Sequence, residues 1–371
     1  MPKAQSTPVR VAIIGAGQVS DFHHVPGLKL DSRAELAAIC DPNAELLAQR
    51  ASQWGVSKTS TDFRTIVEDP NIDAVVIATP NFTHQEISNA AAKAGKHVMC
   101  EKPLALNAAE VHDMYETAKA ADVVHMTAFT YRFAPSMRYM RHLVKSGALG
   151  TPRHFRSQRF LDLPETSWGW RQYRDKAGAG DLFDMTIHRI DFAMDLLGPI
   201  KSISGALATF APRTSTPDGG TCPASDIDDW SALLGQFENG CTGVWEGTVL
   251  AKGHYKDGTH HEWAEVNGSE GSAVYRMHDP NHILLGSHKH DLKPVPVPAE
   301  FMKPAGSPRD VHAGLPSTVF RYDLVFEFIS AIVEGRNAVP DYLDGWKAQV
   351  VADATIRSFE ERRWVDLPSM I

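Results

Sequence analysis

Apolar positions in the first third of this chain fall into short, solid runs separated by amphipathic stretches. The runs Val9–Ile14, Glu35–Cys40, Ala74–Ala78, His97–Cys100 and Val123–Ala128 read as strands. The stretches near Val19–Lys29, Ala44–Trp54, Asp62–Glu68, His84–Ala94 and Ala108–Ala120 read as helices. Strands that are apolar throughout and alternate with helices predict an α/β architecture, a doubly wound parallel sheet buried on both faces. After residue 130 the pattern changes. A helix at Ser136–Ser146, a strand at Pro152–Phe160, a long loop and a helix at Asp184–Leu197 lead into strand-like text from Lys201 to about Val297. Two helices, Ser317–Glu334 and Asp344–Glu361, and a short strand at Trp364–Leu367 close the chain. Strands joined by tight turns predict a C-terminal α+β domain with a large, open, mostly antiparallel sheet and helices on one face. The expected division is residues 1–130 and 131–371. The segment 211–228, rich in Pro, Gly and Thr, is the expected mobile loop.

The first strand runs into Gly15-Ala16-Gly17-Gln18-Val19-Ser20, a G-x-G-x-x-S turn that opens a helix. Gly15 permits the tight turn, and Gly17 removes a Cβ from the path of a pyrophosphate. The helix starting near Gln18 and Val19 aims its N–H groups at the anion. Ser20 stands at the third glycine position and is small enough to let helix and strand pack. The second apolar run ends at Asp41, 21 positions after Ser20, close to the ~20-residue offset at which a carboxylate binds an adenosine ribose. Together these signals predict an NAD(P)-binding Rossmann domain over residues 1–130. A carboxylate at this place would repel the extra phosphate of NADP, so NAD is the expected cofactor and NADP the alternative. Asp41-Pro42-Asn43 also reads as a plain helix start capped by Asp41 or Asn43.

Composition narrows the class. A chain of 371 residues, 43% hydrophobic and 22% charged, fits two globular domains with buried cores. A net charge of −8 argues against a nucleic-acid or anionic-lipid partner. No apolar run is long enough to span a membrane and the N-terminus lacks a signal-like apolar stretch, so a cytoplasmic protein is expected. Cys40, Cys100, Cys222 and Cys241 are dispersed without C-x-x-C spacing and read as reduced thiols.

In a parallel sheet, ligands sit beyond the carboxyl ends of the strands. Residues there are Asp41, then Thr79-Pro80-Asn81-Phe82-Thr83-His84, then Glu101-Lys102-Pro103. Pro103 biases Lys102 toward an extended conformation at the sheet's edge, where an ammonium could stabilise an alkoxide as hydride leaves. A surface lysine paired with Glu101 is the competing reading.

The segment Ala78-Thr79-Pro80-Asn81-x-x-His84, followed by Ala94-Gly95-Lys96-His97-Val98-Met99-Cys100-Glu101-Lys102-Pro103-Leu104, closely resembles the Gfo/Idh/MocA oxidoreductase family. Further matches are Tyr131-Arg132-Phe133, Trp170-Arg171, Gly178–Asp184, His188-Arg189-Ile190-Asp191, Val266–Ser272, Asp344-Gly345 and Arg363-Trp364-Val365, so the resemblance covers essentially the whole chain. It implies a cofactor site at Gly15, Gly17, Gln18, Val19, Asp41, Thr79, Pro80, Asn81, His84, Glu101 and Lys102. It also implies catalysis by Lys102, Asp184 and His188, and a homo-oligomer, a dimer or tetramer built through the open sheet face. Two departures stand out: Ala179 and Thr186 occupy positions where the family often has glycine, which would narrow the pocket.

Read on spacing alone, Asp184 and His188 share one helix face about a turn apart, and favour a capped helix with a packed histidine. The resemblance instead makes His188 a proton acceptor and Asp184 a ligand for substrate hydroxyls. Trp168, Trp170 and Arg171 precede that helix and suit the apolar face and hydroxyl rim of a pyranose or cyclitol. Tyr131 and Arg132 are expected to line the same cleft from the hinge, and His312 from the far side. No metal site is expected: His260 and His261 point to opposite faces of a strand, and His288-x-His290 lacks a third ligand. Arg153, Arg156 and Arg159 read as a solvated or interface run. The expected activity is an NAD(P)-dependent dehydrogenase or reductase that interconverts a secondary alcohol and a ketone on a sugar, glycoside or inositol. An NAD-retaining glycoside hydrolase and a non-enzymatic sugar or dinucleotide sensor are the alternatives.

Overall fold

The structure, a computed structural model, describes residues 7–254 and 261–369. Its first sheet holds six strands: β1 (Val9–Ile14), β2 (Ala34–Cys40), β3 (Thr59–Ser60), β4 (Ala74–Ile77), β5 (His97–Cys100) and β6 (His125–Thr127). Their order is β3-β2-β1-β4-β5-β6, and every pairing is parallel. The sequence order therefore reverses between β1 and β4, which opens a crevice at their carboxyl ends. β1, β4 and β5 are buried along almost their whole length, as their unbroken apolar runs require. Only the two-residue β3 had no apolar run to announce it.

The second sheet is mixed. It comprises β7 (Pro152–Phe160), β8 (Ile200–Ala208), β9 (Trp230–Phe237), β10 (Thr242–Thr248), β11 (His261–Gly268), β12 (Gly271–Arg276), β13 (His282–Ser287), β14 (His290–Pro296) and β15 (Val365–Asp366). Their order is β14-β13-β12-β11-β7-β10-β9-β8-β15; β7 and β10 run parallel and the other pairings are antiparallel. Alternate residues of β9 and β10 are buried beneath the turn Leu182–Thr186 and the start of the helix that follows it, where Trp245 Nε1 donates to Arg189 O, and the others face outward. The helix Tyr342–Glu361 rests on β8 and on the helix Ala108–Ala120, so it ties the two sheets together. Its start is fixed by a reciprocal cap between Asp341 and Asp344.

Three local details depart from the expected helices. The stretch after the glycine turn is a π turn, Ser20–His24, followed by a short α-helix, Val25–Leu30. The expected helix Ser317–Glu334 is broken into Pro316–Val319 and Tyr322–Glu334. Asp184 lies in a second π turn, Leu182–Thr186, ahead of the α-helix Ile187–Leu197. The segment 211–228 is held by hydrogen bonds along its length, including Ser225 N to Pro212 O and a bridge between Ser215 and Thr221. All four cysteines are free thiols, with Cys40, Cys100 and Cys241 buried. No helix among the described residues is long and apolar enough to cross a membrane.

Candidate active site

The crevice at the β1–β4 reversal is a cleft of about 860 Å³, lined by Gly15, Gly17, Gln18, Val19, Asp41, Thr79 and Pro80 among others. Gly15 adopts φ 102°, and a Cβ there would strike the Ala78 carbonyl. A Cβ on Gly17 would project into open space, which is the room a pyrophosphate needs at this turn. Ser20 Oγ donates to Gly15 O at 2.6 Å and so fastens the turn. Asn43, not Asp41, caps the next helix, accepting from Glu45 N and Leu46 N. The Asp41 carboxylate is oriented toward the turn by Ala16 N and Asn43 N, each at 2.9 Å, with lone pairs left over for a ligand.

Three residues assigned to the cofactor line the cavity beside Lys102 and also make bracing contacts. Asn81 donates to Ala177 O at 2.9 Å, and both ring nitrogens of buried His84 lie 2.9 Å from carbonyls, those of Pro103 and Thr79. Burial pushes the His84 imidazole below its ordinary range. Glu101 Oε1 meets His24 Nε2 at 2.8 Å, and although burial raises that carboxyl, His24 and Lys102 bring it below the usual carboxylate range.

Lys102 does not pair with Glu101 through its ammonium. Its Nζ crosses to the second domain and donates to Asp184 at two points, the backbone oxygen at 2.5 Å and Oδ1 at 2.8 Å. Enclosure in the cleft raises the Asp184 carboxyl, and the charges of Lys102 and Arg171 outweigh it, so Asp184 lies below the usual range. The π turn is set from outside: Asp228 accepts from Gly180 N at 2.7 Å and Leu182 N at 2.9 Å. Gly180 is pressed against the Asp228 backbone so closely that no Cβ fits. Because a π turn closes on the fifth residue, the four-residue offset no longer stacks Asp184 over His188. The two face different cavities, and Lys102 lies between them.

On one side, Lys102, Asp184, Trp168, Trp170, Arg171 and Ala179 line a cavity of about 100 Å³ that merges toward the cofactor cleft, which Trp170 and Arg171 also line. On the other, Lys102 and His188 line a cleft of about 600 Å³ together with His23, Tyr131, Arg159 and Arg321. His188 stacks on Tyr131 with ring centroids 4.1 Å apart and meets Phe129 edge-on. Its Nδ1 is buried without a hydrogen-bond partner. Burial, and then the cations Lys102, Arg321 and Arg159, hold His188 well below the ordinary histidine range, so the ring is neutral.

Several expected placements are corrected. Arg132 does not line the cleft; it is buried and clamped by Asp191, at 2.8 Å from Nε and 2.5 Å from Nη2, with Asp344 and Asp195 beyond. His312 is exposed, lines none of these three cavities, and its backbone N–H bonds Asp310. Thr186 turns away from the pocket, donating to Asp181 and meeting Ser231; only Ala179 of the two departures reaches the cavity. Arg159 is neither solvated nor at a surface: it is buried, pairs with Glu262 at 3.0 Å and donates to Tyr131 Oη. The period of β7 carries the missed signal, since Phe155, Ser157 and Arg159 share its inward face. Among the described residues no group of His, Cys, Asp or Glu is arranged to hold a metal; His260 lies outside them.

Comparison with known proteins decides the lineage. Residues 9–129 match an oxidoreductase family with an NAD-binding Rossmann fold, and residues 137–274 match the GFO/IDH/MocA C-terminal domain. The chain belongs to the GFO/IDH/MocA family. It is therefore an NAD-dependent oxidoreductase, and its first sheet is the family's nucleotide-binding half. Levoglucosan dehydrogenase of Pseudarthrobacter phenanthrenivorans is 32% identical over 98% of this chain and 99% of that protein. Myo-inositol 2-dehydrogenase of Thermotoga maritima is 33% identical over 71% of this chain and 74% of its own length. A solved levoglucosan dehydrogenase in complex with NADH and levoglucosan superposes with a TM-score of 0.89, at 30% identity, covering 98% of this chain and all of that one. The family relationship and the parallel nucleotide fold accord with what the glycine turn, the Glu101-Lys102-Pro103 element and the later Asp184-x-x-x-His188 imply.

Proposed function

We propose that this GFO/IDH/MocA protein oxidises a secondary alcohol of a sugar, glycoside or cyclitol to a ketone, and runs the reverse reduction, with NAD as the redox partner. The observation that carries this reading is the Lys102 ammonium, held 2.8 Å from Asp184 and opening onto the same cleft as a neutral His188. The nicotinamide, when bound, supplies the carbon that accepts hydride. The remaining work belongs to the chain. Neutral His188 takes the hydroxyl proton, Lys102 donates to the same oxygen as it gains negative charge, and Asp184 accepts from a neighbouring hydroxyl. Tyr131, stacked on His188, fixes the ring that takes the proton. Trp168, Trp170 and Arg171 shield Lys102 and Asp184 on the side of the cofactor cleft. Mixing the protein with NAD and a panel of cyclic polyols, glycosides and inositols is expected to raise NADH absorbance with at least one of them. Silence across the panel would remove this reading.

Asp41 is assigned to the adenosine ribose, which favours NAD over NADP. Replacing Asp41 with Ala should weaken NADH binding by about 10- to 100-fold, the worth of hydrogen bonds to a charged acceptor, and narrow the preference over NADPH. Fluorescence titration with both nucleotides measures it.

The state of His188 fixes the sign of the pH dependence. A base whose folded pKa lies below 6.5 is competent above that value and is lost as pH falls through it. The acid limb of kcat/KM for alcohol oxidation is thus expected to have its midpoint below 6.5; a midpoint at or above 6.5 would contradict the assignment.

The outward face of the second sheet is the proposed interface of a homo-oligomer. Leu234 and Val244 are direct cross-strand partners on that face and are 50% and 36% exposed. Light scattering on Leu234→Glu/Val244→Glu should show a smaller particle than the wild type.

A further inference from the structure

The 600 Å³ cleft is lined by a guanidinium that no carboxylate among the described residues pairs with directly. The two carboxylates on its lining, Asp21 and Glu101, and the two that pair with its cations Lys102 and Arg159 all have partners already. Asp184 is held by Lys102 at 2.8 Å, Glu262 by Arg159 at 3.0 Å, Glu101 by His24 at 2.8 Å, and Asp21 by Arg50 at 2.7 Å. Arg321 has no such partner among the described residues. Its guanidinium sits 4.9 Å over the Tyr131 ring and 5.4 Å from that of Phe320, and one nitrogen donates to Thr130 Oγ1 at 3.1 Å. Tyr131 and Thr130 line the same cleft. A guanidinium has five N–H donors and is always charged; stacked on a ring and tied at one nitrogen, it is pre-oriented with its remaining donors open to the cavity. Its field reaches the two nearest imidazoles: burial and Arg321 together drive His23 down to about 3, and Arg321 contributes to the lowering of His188.

We propose that Arg321 anchors an anionic substituent of the substrate, so that the preferred substrates are sugars or polyols carrying a carboxylate or a phosphate rather than neutral ones. This rests on the reading of the cleft as the site of alcohol oxidation and names the substrate class within it. A planar fork of donors matches either anion through paired hydrogen bonds. Tyr131 touches both groups, its ring 4.1 Å from that of His188 and 4.9 Å from the Arg321 guanidinium, so the anchor and the proton-accepting ring are close enough to engage neighbouring groups of one molecule. Hydroxyl groups can accept from the same donors, but only an anion also pairs with the charge of the guanidinium, and that difference is the source of the selectivity.

The test compares neutral and anionic partners on the intact protein: glucose against glucuronate and glucose 6-phosphate, and galactose against galacturonate, with NADH formation as the readout. At least one anionic member is expected to exceed its neutral counterpart in kcat/KM by about tenfold or more, and its KM should rise with added NaCl while the neutral sugar's stays level. The carboxylate and phosphate arms separate the two anions. In Arg321→Gln the anionic-to-neutral ratio should fall about tenfold, and Arg321→Lys should restore part of it. Should Arg321→Gln fail to fold, the lysine variant and the wild-type salt dependence still decide. Turnover of neutral sugars alone, or a ratio unmoved by Arg321→Gln, would overturn the anion anchor and leave the dehydrogenase reading standing. No NADH from any sugar, charged or neutral, would overturn both.

Discussion

Replacing Lys102 with Met is expected to lower kcat for alcohol oxidation by about 10²- to 10⁴-fold, the range supplied by a positioned acid–base group. The physical reason is that a single ammonium does two things at once. It bridges the two domains through Asp184, and in the proposed reaction it places positive charge beside the oxygen that becomes negative as hydride departs. Methionine keeps the length and the apolar stem, so the lysine's packing is largely retained while its charge is removed. NADH binding, which draws on the glycine turn and Asp41, should change by no more than a few fold. Stopped-flow measurement of NADH formation, alongside fluorescence titration of NADH, separates the two. Equal loss of binding and turnover would instead mark Lys102 as a structural bridge.

The largest effect on stability is expected at Asp229. Its carboxylate is fully buried, meets Arg213 Nη1 at 2.5 Å and accepts from the backbone N–H groups of Phe210 and Ala211, each at 2.8 Å. Arg213 is also fully buried, with Trp168 stacked 3.8 Å from its guanidinium carbon, and its Nε and Nη2 have no hydrogen-bond partner. Asp229→Ala leaves that charge buried without its counterion, a cost of about 3–5 kcal/mol. The consequence reaches the site, because Trp168 lines the cavity beside Lys102 and Asp184. Urea unfolding of Asp229→Ala should show the loss. Adding Arg213→Met should recover part of it by removing the stranded charge, whereas a second loss on top of the first would contradict the ion-pair explanation.

The sequence makes the first domain nearly transparent, and the reasons are local. Solid apolar runs, a glycine turn and a carboxylate at a fixed offset each reflect constraints a few residues long, and β1, β2, β4 and β5 lie close to where those runs fall. Lys102, Asp184 and His188, the proposed acid–base set, were singled out through motif resemblance. Their arrangement was not legible, because it depends on a π turn whose entry is held by Asp228, some 40 residues downstream. Arg132 and Arg159 exchanged the places expected of them for the same kind of reason. Spacing shows which face of a strand or helix a side chain takes; it does not show what stands opposite. Asp191 and Asp344 draw Arg132 into the interior, while Glu262 on the neighbouring strand β11 holds Arg159 beside Tyr131. Arg321, just ahead of the helix Tyr322–Glu334, gave no signal at all, since nothing near it in the chain records that it turns toward His188.

Everything proposed for this cleft turns on hydride leaving a ring carbon for the nicotinamide. The direct measurement is to supply sugars and cyclitols deuterated at every ring carbon, charged and neutral, with NAD, and to weigh the products by mass spectrometry. One deuterium in each reduced nicotinamide, matched by one ketone, is the expected result with the wild type, and far less of both with Lys102→Met. Reduced nicotinamide without deuterium, or a glycoside cleaved to free sugar with no net reduced nicotinamide, would contradict it.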